Sequence, residues 1–374
     1  MKRITAVAAW AACAIACAAE PRYAVVDLGV VLFQGVDKPV PAVSDSGYVG
    51  GITTFPASRG YVWKDGVLTT IASPLGPTAP SAVYDVNAAG VAVGSTPSTG
   101  TSGTFARPFV YRDGAVTIIP DLDAGPSVNA RIAYGVNDAG VVVGEWERRG
   151  FVYRDGQSSA LATPINRYGE AGAAGAYDIN EAGWAVGYAS YPSSFGAIVW
   201  RPDGSALDIG TLPLAADRRP QADGRAINDA GVVVGQSLTT LAGGALANHA
   251  FSWQDGRFTD LGSLRGPTWS SEAMAINDLG QIVGHADSVV SGGAFLWTAA
   301  DGMVDLNALI DPASAWNLIN ATGINDQGWI VGNGTLGGAA RDYLLVPLAP
   351  VPEPPVWLLL AGGVAATAWR RRVR

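Results

Sequence analysis

The stretch from Arg225 to Ser237, RAINDAGVVVGQS, holds no residue that obviously does chemistry, yet its pattern returns along the whole 374-residue chain. Taking Asn228 as the origin, the same column holds Ser44, Asn87, Asn137, Asn180, Asn277 and Asn325, at spacings of 43, 50, 43, 48, 49 and 48 residues along the chain. Three residues later every copy has glycine: Gly47, Gly90, Gly140, Gly183, Gly231, Gly280 and Gly328. Seven residues later every copy has it again: Gly51, Gly94, Gly144, Gly187, Gly235, Gly284 and Gly332. Seven copies matching at both columns is a repeat and not a by-product of the 48 glycines.

Asparagine starts a turn well because its side chain bonds the backbone two residues on, and the glycine three later supplies the positive φ that closes a short loop. Each copy is therefore expected to be a hairpin whose returning strand is the run GVVVG. Its consecutive valines, such as Val232, Val233 and Val234, point to both faces of a sheet, so both faces must be covered. A third strand follows, marked by large residues two apart: Tyr61/Trp63, Phe109/Tyr111, Phe151/Tyr153, Ile198/Trp200, Phe251/Trp253, Phe295/Trp297 and Tyr343/Leu345. Spacing two places both on one face. Six of these strands run into Asp-Gly, the favoured tight turn between antiparallel strands, and a fourth strand such as RFTDLGSL follows.

Four short strands in 43 to 50 residues is the size of a propeller blade. The last copy stops at DYLLVPL without its fourth strand, while the chain near its start reads YAVVDLGVV, the strand that copy lacks. The expected fold is all-β: a seven-bladed β-propeller over 20–349, closed by the N-terminal strand. An open β-solenoid or a pair of sandwiches competes, but neither gives the two ends a reason to complement each other.

Composition agrees with a deeply packed β protein, with 48% apolar and only 15% charged residues, against roughly 25% charged on average. Residues 1–19 read as a secretory signal helix: Lys2 and Arg3, an apolar core from Ile4 to Ala16, and Ala16-Cys17-Ala18 as a small-residue cleavage site. Lipid attachment at Cys17 is disfavoured because Ala14-Ile15-Ala16 lacks the usual leucine. Cys13 and Cys17 are the only cysteines, so the secreted body has no thiol for a disulfide, a nucleophile or a zinc site.

From Ala349 the text becomes APVPEPPVWLLLAGGVAATAWRRRVR. Fourteen uncharged residues, Val356 to Trp369, span roughly 21 Å as a helix, short of the ~30 Å hydrocarbon core. Such a segment holds the inner membrane only transiently, with the arginines on the cytoplasmic side. Pro352-Glu353-Pro354, the short apolar helix and Arg370, Arg371 and Arg372 resemble the PEP-CTERM sorting signal of Gram-negative bacteria. That resemblance implies an exosortase-type processing enzyme as partner, and makes 350–374 a sorting tail. The body resembles the HAF repeat, named for the triplet at His249-Ala250-Phe251. It implies an extracellular repeat protein and supplies no catalytic residues.

Chemistry is sparse. The two histidines, His249 and His285, fall in repeat positions and share no metal-ligand spacing, and no GxSxG elbow is present. Asp121-Leu122-Asp123-Ala124-Gly125 lacks most of a calcium loop's ligands. Glu145, Glu147, Glu170, Glu181 and Glu272 interrupt a body that otherwise uses aspartate, and are the only candidates for a glycosidase or lyase pair. The net charge of −8 understates the body, since both chain ends are basic, and such acidity repels nucleic acid. Trp146, Trp269 and Trp316 lie outside the aromatic-pair column and are the candidate ligand contacts. The expectation is a non-catalytic, cofactor-free scaffold at the cell envelope, outer surface or extracellular matrix, binding exopolysaccharide or an envelope protein. The alternative is an extracellular propeller enzyme acting on exopolysaccharide.

Overall fold

The computed structural model describes residues 22–29, 41–53, 58–76, 79–100, 103–122, 131–287 and 293–348. The expected signal helix at 1–19, the sorting residues Pro352 to Pro354 and Arg370 to Arg372, the membrane helix at 356–369 and Asp123 all lie outside these residues. Among the described residues no helix is long and apolar enough to cross a membrane.

Seven four-stranded antiparallel sheets form a ring, one per repeat. Blades 1 to 6 open with the innermost strands Ala42–Val43, Ala82–Val86, Arg131–Val136, Ala173–Ile179, Ala222–Ile227 and Ser271–Ile276. Blade 7 takes three strands from Trp316–Ile324, Ile330–Leu336 and Ala339–Pro347, and its outermost from Tyr23–Gly29. In that ladder Tyr23 faces Pro347 and Asp27 faces Tyr343. The ends complement each other as the repeat demands, and the open solenoid and the sandwiches fall away.

Packing between blades follows from the valine run. Val142 packs in a cluster with Val93 and Ile119 of blade 2, while Val143 packs in another with Ala176 and Ile198 of blade 4. Each large pair lies in a single cluster, as Phe251 and Trp253 do together with Val186 and Val199 of blade 4. Full burial of such a side chain is worth about 1.5–3 kcal/mol, so the seven seams carry most of the stability. Of the six Asp-Gly turns, four have both residues at positive φ, at Asp65-Gly66, Asp113-Gly114, Asp155-Gly156 and Asp255-Gly256. At Asp203 and Asp301 only the glycine is left-handed, because there the turn closes over one or more extra residues: Arg201 bonds Ser205, and Thr298 faces Gly302.

All seven first-column glycines have φ between 73° and 81°. The asparagines beside them do more than start a turn. Each is 3–5% exposed, and its Oδ1 accepts the N–H four residues on at 2.8–2.9 Å. Its Nδ2 donates to the C=O of the corresponding residue in the next blade at 2.9–3.1 Å: Asn87 to Asn137, then Asn180, Asn228, Asn277, Asn325 and finally Ser44. Only the step from blade 1 to blade 2 differs. There Ser44 Oγ accepts from the Tyr48 N–H, and Ser46 Oγ reaches the Ala88 C=O at 2.6 Å.

Replacing Asn180 by Ala orphans the part-buried Trp184 N–H and leaves the Asn228 C=O with the Gly231 N–H alone, and is expected to lower unfolding free energy by about 1–3 kcal/mol. Ser44→Asn supplies the absent donor and is expected to raise it by about 1 kcal/mol. Urea titration of both variants checks the pair of opposite signs.

Candidate functional site

Every fully described innermost strand skips a residue against its neighbour three before the asparagine column, and blade 7 skips Ile319 as well. The residues skipped at the shared position are Tyr84, Tyr134, Tyr177, Arg225, Met274 and Thr322. A bulge re-aims the side chain it carries. It also presses the preceding carbonyls onto the second glycine column: a Cβ at Gly144, Gly187, Gly235 or Gly284 would overlap the C=O of Ile132, Gly175, Asp223 or Glu272. The second glycine is thus the residue that lets each bulge exist.

The bulged tyrosines make contact around the axis. Tyr84 meets Tyr134 edge-on at 5.4 Å, and Tyr134 meets Tyr177 at 5.2 Å. Tyr177 stacks on Tyr188 at 5.3 Å, and the Tyr188 hydroxyl donates to Glu145 at 2.9 Å. The Arg225 guanidinium lies 5.1 Å from the Tyr177 ring centroid, a cation–π contact. Its Nε is 2.7 Å from Glu272 and its Nη2 3.2 Å from Asp223. His285 stands 4.0 Å from Glu272. One polar chain therefore runs across blades 3 to 6.

Where that chain meets the face opposite the asparagine turns, a cavity of about 310 Å³ opens between blades 4 and 5. Tyr177, Tyr188, Phe195, Asp223, Gln236 and Asn248 are among the residues that wall it. Asp223 Oδ1 has no hydrogen-bond partner among the described residues. Burial raises the Asp223 carboxyl above its ordinary range, with Arg225 opposing and Glu272 adding to the rise. Three carboxylates are close to one another along this chain, but Glu145 is tied to a tyrosine, and Asp223 and Glu272 share one arginine. Such an arrangement fixes donors and acceptors for recognition more readily than it frees an acid and a base.

The other axial mouth is acidic. Asp45, Asp138, Glu181, Asp229, Asp278 and Asp326, each following the asparagine column, line a cavity of about 190 Å³ that all seven blades share. Each accepts a backbone N–H from the preceding blade at 2.6–2.8 Å. Burial, and then neighbouring like charges, raise Asp45, Glu181 and Asp278. No group of three potential metal ligands occurs among the described residues.

The glutamates singled out from sequence separate. Glu145 and Glu272 join the polar chain and Glu181 the acidic ring. Glu147 pairs with Arg131 at 2.5 Å, and Glu170 bonds Asn166 and Ser193. Trp146 is corrected: it is fully buried, because its side of the strand faces blade 2, clustering with Val93 and Ile119, and it packs on Phe151 of its own blade under the Arg131 guanidinium. Trp316 is half-buried edge-on against Tyr343, and Trp269 is exposed with Arg265 stacked 3.6 Å above it. None of the three lines the cavity between blades 4 and 5. Sequence reasoning missed Tyr177, Tyr188, Asp223, Arg225 and Gln236. Their signal was large or charged residues at three fixed offsets, five and three before the asparagine column and eight after it.

Residues 350–372 match the family model of the PEP-CTERM protein-sorting motif, which points to a secreted, envelope-sorted protein processed by an exosortase. Comparison with curated proteins finds no match. Among solved structures, TolB from Acinetobacter baumannii is 12% identical, with a TM-score of 0.41 over 69% of this chain and 63% of that one. Prolyl oligopeptidase B from Galerina marginata, bound to a 25mer macrocyclization substrate, is 11% identical, with a TM-score of 0.45 over 85% of this chain and 48% of that one. A gluconolactonase from Xanthomonas campestris is 16% identical, with a TM-score of 0.32 over 72% of this chain and 90% of that one. The chain thus spans under two thirds of the length of the first two.

His249 is structural in its contacts. Its Nδ1 lies 2.8 Å from Asp260 and its Nε2 2.7 Å from the Pro267 C=O, so two acceptors face one ring and favour the cation. The Asp260 hydrogen bond raises the His249 pKa. Although burial opposes it, the bonds from His249 and Gly262 hold Asp260 low. A raised histidine contributes stability that is complete below its unfolded value, about 6.5, and is lost as pH climbs through the folded value. The lowered aspartate contributes stability above about 3.9 that is lost as pH falls through its folded value. Melting temperature is expected to decline as pH rises beyond about 6.5, and His249→Gln is expected to flatten that decline in a thermal series.

Proposed function

We propose that the protein is a non-catalytic envelope or matrix scaffold that binds extracellular polysaccharide in the cavity between blades 4 and 5. The observation that carries this reading is the cavity's wall: exposed and half-buried aromatic faces beside Asp223, Gln236 and Asn248. Aromatic faces with a few convergent polar groups are what a sugar ring requires. The repeats are read as HAF-type, since the His249-Ala250-Phe251 triplet supplies both the seam aromatic and the aspartate partner.

The position of the chain's ends suits display. Pro347 lies beside Gly328 of the blade 7 asparagine turn, and the Leu348 N–H donates to the Arg22 C=O at 2.8 Å. Leu348, the last described residue before the sorting tail, thus lies at the asparagine face, and the cavity opens on the opposite one. The second reading, a glycosidase or lyase, is favoured by the presence of Glu145, Asp223 and Glu272 along one chain. It requires two of them to bracket a bond without their present partners.

Calorimetric titration of the secreted protein with exopolysaccharide purified from the producing cells tests the first reading. Tyr188→Ala is expected to weaken binding about tenfold, the loss of roughly 1.4 kcal/mol, with no reducing ends released on prolonged incubation. Turnover abolished by Glu272→Gln would establish the enzyme instead. Removing Arg370 to Arg374 is expected to abolish envelope sorting, read by cell fractionation. An unchanged location argues against the sorting role of the arginines.

A further inference from the structure

Four outermost strands end in the same device. Asp27-Leu28-Gly29, Asp208-Ile209-Gly210, Asp260-Leu261-Gly262 and Asp305-Leu306-Asn307 each turn on an aspartate whose Oδ1 accepts the N–H two residues on, at 2.9, 3.0, 2.8 and 2.8 Å. These aspartates stand across the ladder from Tyr343, Ile198, Phe251 and Phe295. The residue two before that position decides what faces the carboxylate. In blade 7 it is Arg341, 3.4 Å from Asp27, and in blade 5 it is His249, 2.8 Å from Asp260. In blade 6 it is Gly293, and Asn307 turns its carboxamide onto Asp305 at 2.9 Å.

Blade 4 has Gly196, and the neutral Tyr191 takes the place of a basic side chain: a Cβ on Gly196 would meet the Tyr191 ring at 2.9 Å, and the Tyr191 hydroxyl faces Asp208. Among the described residues no cation forms an ion pair with Asp208, and a Cβ on Gly196 would lie 2.8 Å from Asp208 Oδ2. Beside the same carboxylate a cavity of about 350 Å³ opens, walled by Asp208, Phe195, Tyr168, Asn166, Arg167 and Thr211 among others. Arg167 is stacked over Tyr168, 5.1 Å from the ring centroid. Phe195 is 50% and Tyr168 58% exposed, so two exposed rings stand beside an acidic group whose counterparts in blades 7 and 5 meet basic side chains.

We propose that this cavity binds the ammonium group of an amino sugar in an extracellular polysaccharide, with Asp208 as the anion that the ligand's cation meets from the cavity side. The proposal rests on the polysaccharide reading above and names a subsite and a sugar class. An ammonium between aromatic rings gains from their π faces as well as from the carboxylate. The pyranose's apolar face suits the exposed rings, and Asn166 and Thr211 suit its hydroxyls. Phe195 walls both this cavity and the one between blades 4 and 5, so one linear chain can occupy the two in succession. A peptide would instead seek backbone pairing with the outer edge, which here is only the three residues Ala206–Asp208.

The test is calorimetric titration of the secreted protein, at mildly acidic pH, with a glucosamine oligomer and with its fully N-acetylated counterpart. The free-amine oligomer is expected to bind about tenfold or more tightly than the acetylated one, the contribution of one charge-assisted contact. Asp208→Asn is expected to erase that difference. Gly196→Arg, which restores the sister blades' own cation, is expected to block the free-amine oligomer to a similar degree. Equal affinities for the two oligomers, or a preference untouched by Asp208→Asn, overturn the proposal, and the asparagine variant decides it if the arginine variant melts early. Binding of an oligo-arginine peptide that depends on Asp208, with none for glucosamine, overturns it in favour of a peptide ligand. Exopolysaccharide binding that needs Tyr188 and ignores Asp208 overturns this subsite alone. Binding that needs Asp208 and ignores Tyr188 supports the subsite and removes the cavity between blades 4 and 5.

Discussion

One carboxamide in each of six blades, with a serine pair in blade 1, sets where the sheets stand. Hydrophobic burial drives seven sheets together but is non-directional, and flat valine faces would tolerate sliding. The asparagine Nδ2 bonded to the next blade's carbonyl fixes the height of each blade to within a hydrogen bond, while the Oδ1 of the same side chain closes its own turn. The residue after it extends the same clasp with a carboxylate. That second ring crowds six acids around one mouth, and burial with mutual repulsion lifts Asp45, Glu181 and Asp278 above their ordinary range. The backbone N–H each acid accepts offsets part of that repulsion.

A second constraint separates scaffold from site. The bulge three residues before the asparagine turns one side chain per blade toward the axis, and the glycine across the ladder gives its neighbour's carbonyl room. Both are backbone requirements, so they hold whatever the bulged side chain is. Tyrosine stands there in blades 2, 3 and 4, arginine in blade 5, methionine in blade 6 and threonine in blade 7. The axial lining can therefore vary without disturbing the seams that hold the ring together.

This division explains what could be read from the sequence. The asparagine and glycine columns, the valine runs and the aromatic pairs serve every blade alike, so they recur at fixed offsets and give the strands, the blade number and the closing strand Tyr23–Gly29. The residues of the polar chain differ from blade to blade, and comparison of copies treats difference as noise. Tyr177, Asp223 and Arg225 were invisible for that reason. The bulge also shifts the two-residue alternation within each innermost strand, so which side chains meet the axis could not be counted off from the asparagine. Trp146 failed in the opposite sense: it stood outside the aromatic column yet faces inward, because Glu145 beside it takes the side toward blade 4. Gly196 and Gly293 both stand in the column that His249 holds in blade 5. Only the partners of Asp208 and Asp305 separate a carboxylate left without a cation from one its neighbour satisfies.

The ring closure has a directional consequence. A blade completed by strands from both chain ends brings those ends to one edge, and the strand directions of blade 7 put that edge on the asparagine face. On the proposed reading, a chain held through 350–374 would have that face, with its acidic mouth, toward the membrane, where anionic headgroups repel carboxylates. The two cavities that Phe195 walls in common lie away from it. The closure of the ring would then also set which side of it the proposed polysaccharide meets.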